Sequence, residues 1–191
     1  ALVSRLALHE LSDRQDPKSV PALESIVADS SASVARRCAA LWAIEGMKKI
    51  KAPTLLALSK SDHSSLRYEA LRAAGEHQLA ATEFVKVAEN TKFKSHRRTR
   101  VALANAVRAH RTPTPAMMAL VASLGDAPVT TGGWDQYDRE FERYLARWAL
   151  EHHPKLTSPM LDAHGSKLSG EQFLLAVQSL EPSAAAAQLV K

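Results

Sequence analysis

The feature that most restricts this chain is a phrase that returns about every 30 residues. The stretch from Val34 to Ile44 (VARRCAALWAI) comes back from Leu66 to Ala74 (LRYEALRAA) and again from Arg98 to Val107 (RTRVALANAV). Leu41 to Leu71 is 30 residues and Leu71 to Leu103 is 32. A unit this short cannot bury its own apolar face, so its copies must stack on one another to make a continuous core.

Each phrase follows a short polar break: Asp29 to Ser33, Ser61 to Ser65, and Asn90 to Ser95. Clusters of this kind stop one helix and cap the next. Before each break lies a second amphipathic segment. Asp16 and Pro17 open the first, with Val20, Leu23, Ile26 and Val27 at helical spacing. Pro53, Leu55, Leu56 and Leu58 repeat the idea, and Phe84, Val85 and Val87 repeat it again. The repeat is therefore a pair of helices.

Composition agrees. Aromatics are 5% and the chain has only 7 glycines, while Ala and Leu recur throughout, which favours helices packed through small and branched side chains over strands. With 46% apolar residues the 191-residue chain can fill a core, so disorder is not the expectation. No run approaches the roughly 18 apolar residues of a membrane span. The chain opens directly in a helical pattern, ALVSRLALHEL, which reads as a fragment or a processed chain.

A fourth pair runs from Thr114 to Leu124 and from Tyr137 to His152, split by an insert loop over residues 125–136. In stacked repeats such additions emerge on one face, often the binding face. A fifth pair covers Pro154 to His164 and Ser169 to Leu180, and Glu181-Pro182-Ser183 opens the first helix of a sixth. The expected fold class is all-α: a single domain over 1–191 forming a right-handed α-solenoid (α-α superhelix) of about five helix pairs. Its inner helices are expected near 34–48, 65–77, 95–110, 137–152 and 169–180.

The order of aspartate, a gap, an apolar residue, arginine and an Ala-Leu pair resembles HEAT and HEAT-like repeats. Asp29, Val34 and Arg37 fit it, and Asp62, Leu66 and Arg67 nearly so. The third unit departs, with Asn90 and a basic run where the aspartate belongs. An arginine at the start of an inner helix can reach the carboxylate of a neighbouring turn while its stem covers apolar surface. The phrase Arg37 to Met47, the Leu66-Arg67 phrase, Tyr144 to Leu150 and Phe173 to Val177 together resemble the helical-repeat segment of large exported planctomycete-type proteins. In that family the segment is similar to a connector between a dehydrogenase-type β-propeller and a cytochrome c module. For this chain the resemblance implies spacing and docking, and a periplasmic or exported location. No haem motif occurs here, so no cofactor is expected in this chain.

Net charge is +5, but the basicity is local. Between Glu89 and Asp126 there is no acid, while Lys92, Lys94, Arg97, Arg98, Arg100, Arg108 and Arg111 lie there, so the remainder is net negative. Arg97, Arg100, Arg108 and Arg111 recur near helical spacing opposite Val101, Leu103, Ala104 and Val107. This makes a candidate stripe for phosphates or an acidic protein, with a plain solvated face as the other reading. Trp134 and Asp135 on the insert loop, with Tyr137 beside them, form a second candidate contact, against simple packing of the loop onto its own domain.

The remaining candidates read as structure. Trp42 and Trp148, among Ala and Leu, are expected in the core. His152 and His153 point about 100° apart on a helix and suit its C-terminal dipole better than a metal. Cys38, the only cysteine, excludes an internal disulfide and reads as a buried inert thiol. Asp138 and Glu142 fit a solvated face opposite Phe141, Leu145 and Trp148. No Ser elbow, phosphate-cradling glycine loop or zinc spacing occurs.

The expectation is a non-catalytic, monomeric scaffold that binds a protein partner or neighbouring domains of its own polypeptide, without membrane insertion. The alternative is a nucleic-acid-binding protein like the HEAT-like alkylpurine DNA glycosylases, suggested by the basic stripe and the tryptophans. A chromophore lyase or metal-cluster chaperone is a third class that nothing in the chain selects.

Overall fold

Proline and serine divide the labour of starting helices in this chain. The computed structural model describes residues 10–11, 13–126 and 134–190, the side chains of 134–136 excepted. Among these residues it is all-helical, with eleven α-helices. They are α1 (Val20–Ala28), α2 (Val34–Gly46), α3 (Ala52–Ser59), α4 (Ser64–Glu76), α5 (Ala81–Asn90), α6 (Arg97–Ala109), α7 (Pro115–Ala122), α8 (Trp134–His152), α9 (Pro154–His164), α10 (Gly170–Val177) and α11 (Pro182–Leu189).

Of the odd-numbered helices, α1, α3, α7, α9 and α11 carry proline in the first two positions. There the missing N–H is an orphan anyway and φ is already set. Side-chain caps serve the even helices α2 and α10. Ser33 Oγ accepts from the Arg36 N–H, and Ser169 with Gln172 forms a reciprocal capping box. The segment opened by Asp16 differs slightly from expectation: Pro17–Ser19 is a 3₁₀ turn that runs into α1.

Two layers result. The odd helices touch in the order α1, α3, α5, α7, α9, α11 and the even helices in the order α2, α4, α6, α8, α10. The core lies between the layers as one cluster that includes Leu41, Ile44, Leu55, Leu66, Leu71, Phe84, Leu103, Val107, Met117 and Leu150. The closest approach within the even layer is α4 on α6. A Cβ built on Gly75 would stand 2.3 Å from the Cβ of Ala106, so only glycine admits this packing.

Arg37, Arg67, Arg100 and Arg143 mark the repeat better than the leucines do. Their side chains go mainly to backbone carbonyls: Arg37 Nε donates to Val27 O at 2.9 Å, Arg67 Nε to Thr91 O at 3.1 Å, Arg100 to Lys94 O at 2.7 Å and Arg143 to Gly125 O at 2.5 Å. The expected carboxylate partner is thus corrected for Arg37 and Arg67. Carbonyls at helix ends lack intrahelical donors, and a guanidinium covers them while staying charged. With the arginines aligned, Leu41 and Leu71 match Ala104, and Leu103 falls one position earlier.

The tenth residues after the last three arginines are His77, His110 and His153, and each reaches back to the end of the preceding even helix. His77 Nε2 lies 3.2 Å from Glu45 Oε1, His110 Nε2 lies 3.0 Å from Leu79 O, and His153 Nε2 lies 3.1 Å from Val107 O and 3.0 Å from Arg108 O. His110 is buried, with Nδ1 accepting from the Thr112 N–H, so its ring proton sits on Nε2. Helices α2 and α4 end on left-handed residues that are not glycine, Lys48 at φ 54° and Gln78 at φ 53°. Each closes a Schellman-type turn, with Lys49 N–H on Ile44 O and Leu79 N–H on Ala74 O.

Candidate docking surface

Counting from the four arginines defines the outward side of the even layer. Five residues after them come Trp42, Arg72, Asn105 and Trp148. Trp42 is 45% exposed and Trp148 38%, so the expectation that both lie in the core is corrected. The aligned repeats carry arginine and asparagine at this position, a polarity that already marks it as outward. Tyr137, Phe141 and Tyr144 are also exposed, so among the described residues every exposed large aromatic belongs to an even helix.

Around Trp42 and Arg72 the face is a charge network. Trp42 Nε1 donates to Glu69 at 3.0 Å. Arg72 donates to Glu69 at 2.8 Å, to Glu76 at 2.6 Å, and through both terminal nitrogens to Glu45 at 3.0 and 2.6 Å. Burial opposes the charged guanidinium, but the bonds to Glu45, Glu76 and Glu69 outweigh it and hold the Arg72 pKa above the ordinary arginine value. Three carboxylates around one guanidinium leave this end of the face net negative.

Toward α8 the character changes. The Arg108 guanidinium lies 4.1 Å over the Trp148 ring, and Tyr144 stacks on Trp148 with centroids 6.3 Å apart. Such a cation over an indole is attracted by the ring quadrupole. Between α4 and α6 runs a groove of about 490 Å³ bounded by Arg72, Gly75, Glu76, Asn105, Ala106 and Arg108. Gly75 and Ala106, where the two helices meet, belong to its lining.

The basic run does not form one stripe. Lys92, Lys94, Arg97 and Arg98 sit at or before the N-terminus of α6 and Arg111 lies beyond its other end. Arg97 pairs with Asp138 at 2.8 Å. Arg100 is largely buried and grips Glu142, whose side chain is 5% exposed. Glu142 therefore leaves the solvated face expected for it, because it faces α6 and neutralises cations at a helix terminus that repels them. Phe141, expected inside, is 39% exposed. Lys92, Lys94, Arg98 and Arg111 carry no ion pair among the described residues, so the exposed part of the run is at its two ends.

The insert is shorter than expected, since α8 begins at Trp134. Tyr137 stands on that helix and is 63% exposed, whereas the side chains of Trp134 and Asp135 lie outside the described residues. His152 and His153 meet edge to face, and the carbonyls bonded to His153 end α6, so it serves a neighbour's C-terminus. Cys38 is buried; desolvation, then Glu69, pushes its thiol pKa up against the pull of Arg37. Among the described residues no three His, Cys, Asp or Glu side chains converge on a metal-sized point, and no helix is long and apolar enough to cross a membrane.

The Arg72 network, the Gly75 approach and the groove escape sequence reading. Glu45, Glu69 and Glu76 lie on two helices, and only the Arg72 alignment with Trp42 hints that they converge. Comparison with protein-family models, curated proteins and solved structures finds no match to this chain.

Proposed function

We propose that this chain is an α-solenoid of about five HEAT-type helix pairs that works as a docking module, binding a protein on the outward face of its even helices. One observation carries the reading: Trp42, Tyr137, Phe141, Tyr144 and Trp148 are all exposed and all on that layer. Exposed aromatics interleaved with arginine have the composition of interface hot spots, where rigid rings give contact area at small entropic cost. A neighbouring domain of the same polypeptide, as in exported connector segments, is one form such a partner takes.

Nucleic acid is the weaker reading. Arg97 and Arg100 are committed to Asp138 and Glu142, and Glu45, Glu69 and Glu76 on the same layer repel a polyanion. The test is photo-crosslinking in the native cells, with the crosslinker at Asn105 on the even face or at Lys86 on α5. A discrete protein adduct from position 105, lost with Trp42→Ala plus Trp148→Ala, is expected. Adducts from position 86 alone, or tight salt-dependent binding to a DNA duplex lost in Arg98→Glu, would overturn the reading.

A further inference from the structure

We infer that the groove between α4 and α6 receives a segment of a partner protein that carries a single carboxylate beside an aliphatic residue, and that Arg108 holds that carboxylate. The inference rests on the docking reading above and names the chemistry of what docks.

Two described arginines, Arg108 and Arg139, have a buried Nε without an acceptor, and of the two only Arg108 lines this groove. Arg37, Arg67, Arg72, Arg100, Arg143 and Arg147 each donate to a carbonyl or carboxylate. Arg108 lines the groove, rests on Trp148, and its Nε is buried with no acceptor. No ion pair joins it to any described residue. The Trp148 ring holds the guanidinium in place, and the two terminal nitrogens, which make no ion pair with a described residue, can donate two parallel bonds to a carboxylate. Partial desolvation by Trp148 strengthens such a pair relative to one in open water.

The opposite wall says where the carboxylate goes. Arg72 already spends four of its five N–H donors on Glu45, Glu69 and Glu76, and those three carboxylates surround its charge, so it attracts an incoming anion far less than Arg108 does. Glu76 lies on that wall as well, and the surplus of acid there rejects a polyanion such as a nucleic acid backbone. A peptide with one acid over α6 and an aliphatic neighbour fits: Gly75, Val101, Ala102 and Ala106 give the groove a small apolar floor.

The test uses the full chain labelled with ¹⁵N and two short probe peptides, one with a single glutamate between leucines and one in which glutamine replaces that glutamate. The glutamate peptide is expected to shift saturably the Arg108 Nε–H, the Trp148 indole N–H and the Gly75 and Asn105 amides. The glutamine peptide, or the glutamate peptide with Arg108→Gln, should bind at least about tenfold more weakly, the loss of one charge-assisted bond pair. Arg108→Lys should fall between, and Arg111→Gln should bind like the native chain. The amide spectrum shows in the same experiment whether each variant is folded. Absence of saturable shifts, equal binding of both peptides, indifference to Arg108→Gln, or shifts centred on Lys92, Lys94 and Arg98 would each overturn the inference. Equal binding of both peptides in the groove would leave the docking reading standing, while the crosslinking outcome judges that reading separately.

Discussion

Arg100 and Glu142 hold each other through two hydrogen bonds, 2.7 Å from Nε and 2.9 Å from a terminal nitrogen, although 42 residues separate them in sequence. The side chains are 14% and 5% exposed, so removing one partner strands a buried charge. Arg100→Ala or Glu142→Ala should each cost about 3–5 kcal/mol, read as a drop in the denaturant midpoint. Replacing both with leucine should cost much less than the two single losses together. Additive losses would show that the pair contributes no coupling.

Gly75→Ala tests the approach of α4 to α6. The new methyl meets the Ala106 Cβ, and the strain of about 1–3 kcal/mol should exceed the gain of about 1 kcal/mol that alanine brings to a helix. Thermal unfolding should show a lower midpoint, and Ala106→Gly in the same chain should restore part of it. A more stable Gly75→Ala protein would mean that the helices separate freely.

Trp42→Ala should cost about 2–3 kcal/mol, less than a fully buried tryptophan would, because nearly half of the residue is already in water; part of the loss is the bond to Glu69. Leu71→Asp and Leu103→Asp, at fully buried positions, should unfold the chain, because an unpaired carboxylate in the core costs a large part of a domain's whole stability. Circular dichroism of the three purified proteins separates these outcomes.

Lys48 adopts φ 54° at the end of α2, where a side chain carries a steric penalty. Lys48→Gly should raise stability by up to about 1 kcal/mol, less the extra freedom that glycine gives the unfolded chain. Lys49→Gly, one residue further on, should not. Calorimetry of the two variants decides.

Desolvation raises the Cys38 thiol pKa, so the folded state keeps its proton after the unfolded state has released it. The sign follows: this group favours folding below the ordinary thiol pKa of about 8.5, and that contribution is lost as pH rises toward the folded value. Across alkaline pH the native chain should therefore lose stability faster than Cys38→Ala. Parallel curves would show a thiol open to water.

Much of the architecture is legible in the sequence because helix starts are chemical signals. Pro53, Pro115, Pro154 and Pro182 stand at helix starts, and Ser33 and Ser169 cap the next ones. The face is less legible. Trp42 among alanines looks like core, and only its alignment with Arg72 and Asn105 gives it away. The partners of Arg97 and Arg100 are harder still, since Asp138 and Glu142 belong to the next repeat and lie beyond an insert of irregular length. Charge in a local window shows where cations concentrate, but a neighbour in the stack decides which stay free.

The three histidines that reach back to the preceding even helix give the stack a grain. Every such bond has its donor ring in the later repeat and its acceptor in the earlier one, so cuts from the two ends are not equivalent. Trimming after His110 releases carbonyls at the end of α6 to water, which satisfies them at once. Trimming from the other end through Leu79 strands the ring of His110 without the acceptor it was folded against.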